Sequence, residues 1–488
     1  MQFKVQQFLM LKKKSKRINH RLEKDFLGLK AIPKLALYGI NTVRAVENFP
    51  ISRSQIGHYP DFISAIAIIK KSATEANSEL GLITLEKSTA IIHACEDIIQ
   101  GNHHDQFIVS VLQGGAGTST NMNANEVIAN LALLHLGKKC GDYDAINPND
   151  DVNLSQSTND VYPSAVRLGL LLAIPRLVNE MSLLGESFDK KAIIFDGILK
   201  IGRTQLQEAV PMSLGQEMHT HAVMLKNNEQ RLKNVIQLLK VFNLGATAIG
   251  TGINTHPDYR EKIARKINAI TNLDIQISNE LITATQDCSD FVELSGVLKR
   301  VAISISKSCN DLRLLSSGPR SGFREINLPP KQPGSSIMPG KVNPVIPELV
   351  NQVAYEVIGN DTTIAFAAEG GQLQLNAFEP VIAWSLFKSI YHLENAMKTL
   401  RINCIDGITA NKEWLASELK HSTGIATALL PHIGYEKSAA IARESLKTGL
   451  DVASIAVNLK LAKKSEIKEW LNPNHLINPN ITPAEKMD

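Results

Sequence analysis

The sequence predicts an all-α, mainly helical protein, and three observations carry that expectation. From Asp290 to Leu315 the apolar residues Phe291, Leu294, Leu298, Val301, Ile305, Cys309 and Leu312 recur every three or four positions, the stripe of a long amphipathic helix. Apolar residues form 44% of the chain and aromatics only 5%, the balance of an aliphatic helical core. Segments rich in Gly, Thr, Ser and Asn (113–123, 153–163, 201–213, 244–256 and 316–344) alternate with the apolar stretches. Helices of this length pack side by side in bundles rather than over a sheet. The polar loops then fall at the bundle's ends, where binding groups are commonly carried.

The chain opens on a basic run. Residues 1–17 hold Lys4, Lys12, Lys13, Lys14, Lys16 and Arg17 with no acid, and without those six the balance is 46 basic against 48 acidic residues. The formal charge of +4 is therefore local, a solvated tail over residues 1–20 and not a nucleic-acid surface. Phe8–Leu11 is too short for a signal-peptide core. No stretch reaches about 18 uninterrupted apolar residues, so no membrane span is expected. Further helices are expected over about 162–200, with Pro175 kinking or interrupting it, and over 214–243, 347–368 and 380–405. The five cysteines are scattered without paired spacing and read as reduced thiols of a cytoplasmic protein. His103 with His104, and His219 with His221, are isolated pairs without metal-ligand spacing. At 488 residues the chain has room for about three domains.

The richest segment is Gly-Ser-Ser-Ile-Met-Pro-Gly-Lys-Val-Asn-Pro, residues 334–344. Gly334 and Gly340 let the backbone swing, Pro339 and Pro344 stiffen it, and Ser335, Ser336, Lys341 and Asn343 supply polar groups and one fixed cation. It reads as a mobile loop that handles anions. This run resembles the signature of the aspartase/fumarase superfamily. Other loops are similar to that family's conserved regions in the same order. Gln113–Asn123 carries Thr118, Gln-Ser-Thr-Asn-Asp carries Ser157, Thr158 and Asn159, Gly-Arg-Thr-Gln-Leu-Gln carries Thr204 and Gln205, and Ser-Gly-Pro-Arg spans 317–320. Any one such loop could be read as helix capping. Several in family order favour chemistry. The likeness runs from about Arg21 to beyond residue 470.

The resemblance implies a lyase that removes a proton beside a carboxylate and expels a group from the neighbouring carbon, releasing fumarate. That proton is weakly acidic, and its loss leaves a doubly charged aci-carboxylate, so donors and positive charge must gather where the charge develops. Lys341, Asn343, Thr204 and loop amides suit that task, while Thr118, Ser157, Thr158 and Ser336 would hold the carboxylate that becomes the dianion. The resemblance makes Ser335 the base, activated by loop closure, desolvation and donors aimed at its oxygen. A nucleophilic-serine hydrolase is the rival reading of Ser335, but no Gly-x-Ser-x-Gly elbow surrounds it.

The expected leaving group is ammonia, with L-aspartate the substrate. Residues 243–252 and 371–382 resemble the ammonia-eliminating members more than the water-eliminating ones, and Asn159 and Gln205 can offer carbonyl acceptors to an ammonium group. A fumarate hydratase is the nearest alternative, and a catalytically silent scaffold on the same fold is the alternative of another class. Two departures stand out. Asn41 occupies a position where histidine or glutamine is commoner, and Lys30 one where arginine can stand. The resemblance further implies domains at 21–156, 157–411 and 412–488, a central five-helix bundle, and a homotetramer with a helical core. Each site would be shared by three subunits, contributing respectively Ser157–Asn159, Thr204 with Gln205, and Ser335–Asn343. No cofactor is expected beyond possible activation by a divalent cation such as Mg; no nucleic-acid or membrane partner is expected.

Overall fold

The computed structural model describes residues 19–478. The basic run of residues 1–17 lies outside the described residues. The chain starts with an antiparallel hairpin of β1 (His20–Asp25) and β2 (Gly28–Pro33), which the helical reading did not anticipate. There follow α1 (Ile40–Asn48), α2 (Pro60–Glu79), α3 (Leu85–Ile99), α4 (Thr118–His135) and the long α5 (Thr158–Ile194). A second antiparallel hairpin, β3 (Leu199–Thr204) and β4 (Gln207–Ser213), leads into α6 (Leu214–Val235). Then come α7 (Tyr259–Thr271), α8 (Ser289–Leu315), α9 (Val345–Glu369), α10 (Glu379–Asn403) and α11 (Lys412–His421).

The periodic segments became the long helices α5, α6, α8, α9 and α10, with two corrections. α6 stops at Val235 rather than near Asn243, and a 3-10 turn over Ile236–Lys240 carries the chain into the short strand Val241–Phe242. α5 runs through Pro175, and through Pro163, without interruption. A proline inside a helix costs about 3 kcal/mol, whereas burying one large aliphatic side chain returns about 1.5–3 kcal/mol. Leu168, Leu170, Ile174 and Leu177 are all fully buried, so packing outweighs the lost hydrogen bond. α5 is also the one described helix long and apolar enough to cross a membrane, but 78% of its most apolar window is buried inside the protein, as in a core helix.

The described chain forms two compact units. The first takes residues up to Leu177 with Arg231–Lys299 and Glu356–Tyr391; the second takes Val178–Gln230, Arg300–Tyr355 and the residues from His392 on. In the first, Phe62 of α2 meets Tyr162 of α5 edge-on at 5.6 Å and Phe387 of α10 at 5.5 Å. Polar ties join the helices beside this aromatic group: Arg167 of α5 donates to Asp290 of α8 at 2.7 Å, and Lys299 of α8 to Asp361 of α9 at 2.6 Å. In the second unit, Asn351 of α9 donates to Ser306 Oγ of α8 at 2.8 Å, and Arg401 of α10 to Glu180 of α5 at 3.1 Å. A separate apolar cluster there, built from Ile201, Leu419, Leu429, Ile441 and Ile455, fixes the β3–β4 hairpin against the C-terminal helices.

The cysteines are unpaired, and Cys95, Cys288, Cys309 and Cys404 are buried. Phe387 is 2% exposed and touches the rings of Tyr59, Phe62 and Tyr391. Phe387→Ala should therefore cost about 3–5 kcal/mol, read as a lowered melting temperature by circular dichroism.

Candidate active site

The Gly334–Pro344 loop of the second unit is clasped at its base. The Gly334 amide donates to the Lys341 carbonyl at 2.7 Å, and Asn343 Nδ2 donates to the Gly334 carbonyl at 2.8 Å. A β-carbon at Gly334 would stand 2.8 Å from the Asn343 nitrogen and 2.9 Å from the Lys341 oxygen, so the clasp closes only on glycine. Inside it, Ser335 Oγ accepts from two backbone amides, Ile337 at 3.2 Å and Met338 at 3.0 Å. Amides that already face a hydroxyl oxygen stabilise that oxygen more strongly once it is an anion. A hollow of about 510 Å³ opens beside it, lined by Ser335, Met338, Gly340, Lys341 and Lys331 among others. Ser336 and Lys341 are exposed.

Thr204 and Gln205 stand exposed at the tip of the β3–β4 hairpin. The two loop residues, Gln205 (φ 54°) and Leu206 (φ 62°), both have positive φ, the handedness of the tight turns that match strand twist. Neither is glycine, so the tip holds backbone strain of the kind that accompanies functional positions. Below the tip, Lys200 is buried and paired with Glu217 at 2.7 Å and with Glu325, which also pairs with Arg203. The hairpin is thus anchored just ahead of the loop that carries Ser335. Among the described residues no hydrogen bond joins the tip itself to that loop.

The first unit gathers the other predicted residues at the N-termini of α4 and α5. Gly117, the residue before α4, has φ 89°, and a β-carbon there would lie 2.2 Å from the Tyr162 ring. Glycine is required on both counts. Thr118 is exposed and its hydroxyl donates to the Gly115 carbonyl at 2.8 Å. One turn on, Asn121 Nδ2 donates to Thr158 Oγ1 at 3.2 Å, joining the two helix starts. Ser157 Oγ accepts from the Asn159 amide at 3.2 Å, and Asn159 Nδ2 donates to the Ala248 carbonyl at 2.7 Å. Thr158 is buried, whereas Ser157 and Asn159 are partly open.

Beneath them lie two charged residues that motif reading missed. Asp160 is fully buried, and burial pushes its carboxyl up to about 6 against the backbone amides that favour the anion. Lys70 is fully buried as well, and burial brings its ammonium down to about 7. It donates to Asn153 Oδ1 at 2.9 Å, an oxygen that also receives Asn121 and Asn125. Asp160 was readable within Gln-Ser-Thr-Asn-Asp; the signal for Lys70 was a cation on the apolar face of α2. The departures at Lys30 and Asn41 are absorbed locally. Lys30 pairs with Glu47, and Asn41 donates its side-chain amide to the buried Glu126, which also receives the amides of Gly39, Asn41 and Thr42. Among the described residues no group of three or more His, Cys, Asp or Glu is placed to hold a metal ion.

This geometry belongs to a known class. A family profile described as Lyase matches residues 30–359, and one described as Fumarase C C-terminus matches residues 425–478. The chain belongs to the aspartase/fumarase superfamily of lyases. It is 53% identical to the aspartate ammonia-lyase of Helicobacter pylori (strain ATCC 700392 / 26695), over 96% of this chain and 100% of that protein. It is 47% identical to the aspartate ammonia-lyase of Escherichia coli (strain K12), over 94% and 97%. Among solved structures it is similar to a fumarate lyase:delta crystallin from Brucella melitensis bound to cobalt (TM-score 0.92, 50% identity, 94% of this chain and 100% of that one). It is also similar to a class II fumarase from Schistosoma mansoni (TM-score 0.88, 31% identity, 93% and 98%).

Gly334→Ala should break the clasp. Peptides covering residues 334–344 should then exchange amide hydrogens about tenfold faster by mass spectrometry, with exchange elsewhere unchanged.

Proposed function

We propose that this chain is an aspartate ammonia-lyase that converts L-aspartate reversibly to fumarate and ammonium. The observation that carries the reading is Ser335, its oxygen faced by two backbone amides, in a chain about half identical over nearly its full length to proteins named for that reaction. Ser335, as the alkoxide, takes the proton from Cβ. The electron pair left behind spreads into the adjacent carboxylate as an aci-carboxylate, held by Thr118, Ser157, Thr158 and Ser336. That pair then forms the double bond as the Cα–N bond breaks, and the nitrogen leaves as ammonia with its bonding pair. Lys341, Asn343 and Thr204 grip the remaining carboxylate, and the carbonyls of Asn159 and Gln205 receive the ammonium group. The proton held by Ser335 passes to solvent, and ammonia takes one up to become ammonium. No organic cofactor enters these steps, and a divalent cation such as Mg would act as an activator only.

The same reading makes the active form a homotetramer with each site shared by three subunits. Support comes from large apolar side chains left exposed on the long helices, such as Tyr355 at 59% and Phe366 at 73%, a face suited to burial against another copy. Unpaired, buried thiols support a cytoplasmic location.

Purified protein given L-aspartate should raise the absorbance of fumarate at 240 nm, and L-malate should not replace it. Ser335→Ala should lower kcat by about 10²–10⁴-fold, the usual contribution of a general base. Activity on malate alone would identify a fumarate hydratase instead. For the shared sites, mixing the inactive variants Ser335→Ala and Thr204→Ala under conditions of subunit exchange should restore part of the activity. No recovery after verified exchange would remove the shared-site arrangement.

A further inference from the structure

We propose that Asp160 is a positioning residue for the substrate loops, a buried carboxylate that ties the Ser157–Asn159 segment to the Asn243–Thr247 segment. Its Oδ1 accepts the Ser157 amide at 3.0 Å, and its Oδ2 accepts the amides of Gly245 at 3.1 Å and Thr247 at 3.0 Å. One of those three donors sits in backbone that needs holding: Thr247, which carries a branched side chain, has φ 54°. Asn159 completes the seam from above, donating to the Ala248 carbonyl at 2.7 Å and accepting from Asn243 Nδ2 at 3.0 Å through its own carbonyl. On the other side Asn121 holds Thr158, and Asn121 is itself fixed through Asn153 by the buried ammonium of Lys70. The three residues assigned to substrate are therefore set from below by one acid, and an amide in its place would turn an N–H toward a backbone N–H.

The groups that face Asp160 are Lys70 from α2, whose charge favours the carboxylate, and the buried hydroxyl of Tyr259 from α7, which burial keeps neutral. Burial has raised Asp160 to about 6, above the ordinary value it takes when the seam opens to water, so ionisation above that value is what the amides must offset and protonation below it favours the closed seam.

The kinetic part of this inference rests on the ammonia-lyase reading; the structural part does not. The test compares the full-length wild type with Asp160→Asn and with Glu126→Gln, a matched control that replaces another buried carboxylate held by backbone amides. In Asp160→Asn, KM for L-aspartate should rise about tenfold or more, kcat should fall by a smaller factor, and peptides over 155–161 and 243–250 should exchange amide hydrogens faster. Glu126→Gln should lower the melting temperature and leave KM within about twofold. A wild-type KM with unchanged exchange in Asp160→Asn, or an equal KM rise in both variants, would overturn the assignment. A wild type that forms no fumarate from aspartate would remove the ammonia-lyase reading, while the exchange comparison still decides whether the seam exists. If Asp160→Asn does not fold, the wild type decides. After correction for intrinsic rates, protection of the two peptides should be higher at pH 5 than at pH 7.5, because a carboxyl raised by closure binds its proton more tightly in the closed seam than in the opened one, and equal protection would overturn the proposal.

Discussion

A carboxylate stays ionised in an apolar interior most readily where donors meet both of its oxygens, and two sets of loops in the first unit are arranged around that demand. Leaving such a group unmet costs several kcal/mol, more than any single loop contact returns. Asp160 meets it with three backbone amides, and Glu126 meets it with the amides and side chains at the start of α1. In both cases donors come from a segment more than eighty residues away, so satisfying one charge also fixes the path of a distant loop. The hydroxyl and amide groups proposed to meet substrate at Ser157–Asn159 are ordered by this means, while Ser157 and Asn159 stay partly open.

The second unit solves a different problem. Its Gly334–Pro344 loop carries short polar groups toward solvent and holds one hydroxyl oxygen against two amides. The clasp between Gly334, Lys341 and Asn343 shapes the turn, and the turn itself supplies the two amides at Ser335 Oγ. Because those amides belong to residues two and three positions further on, the donors to Ser335 Oγ are local to the loop. The buried Lys200–Glu325–Arg203 group gives the neighbouring hairpin a rigid base for its exposed tip.

The long helices were legible because an apolar stripe recurring every three or four residues over twenty or more positions lines up on one side of the chain only in a helix; α8 was placed to within about a residue at either end. Pro175 does not interrupt α5: its local cost is visible in sequence, while the burial of Leu168, Ile174 and Leu177 that offsets it is a property of the packed state. The two hairpins were missed because strands of six or seven residues with mixed polarity carry little periodic signal. Ser335 and Lys341 stood out in the sequence because their loop concentrates glycine, hydroxyl and cation in eleven residues. The strain at Gln205 and Leu206 was not, because neither residue type announces positive φ. The roles of Asp160 and Lys70 escaped for another reason: Gly245, Thr247 and Asn153, which they hold, lie far from them in sequence.

The five cysteines bear on durability. In Cys95 and Cys309 burial raises the thiol well above its ordinary value, and Cys288 and Cys404 are pushed up to about 12. Only the thiolate attacks peroxides, disulfides and alkylating reagents. Even Cys140, the one partly open thiol, is raised by burial. The four interior thiols are kept both covered and protonated, so a maleimide dye offered to the folded protein should reach Cys140 first.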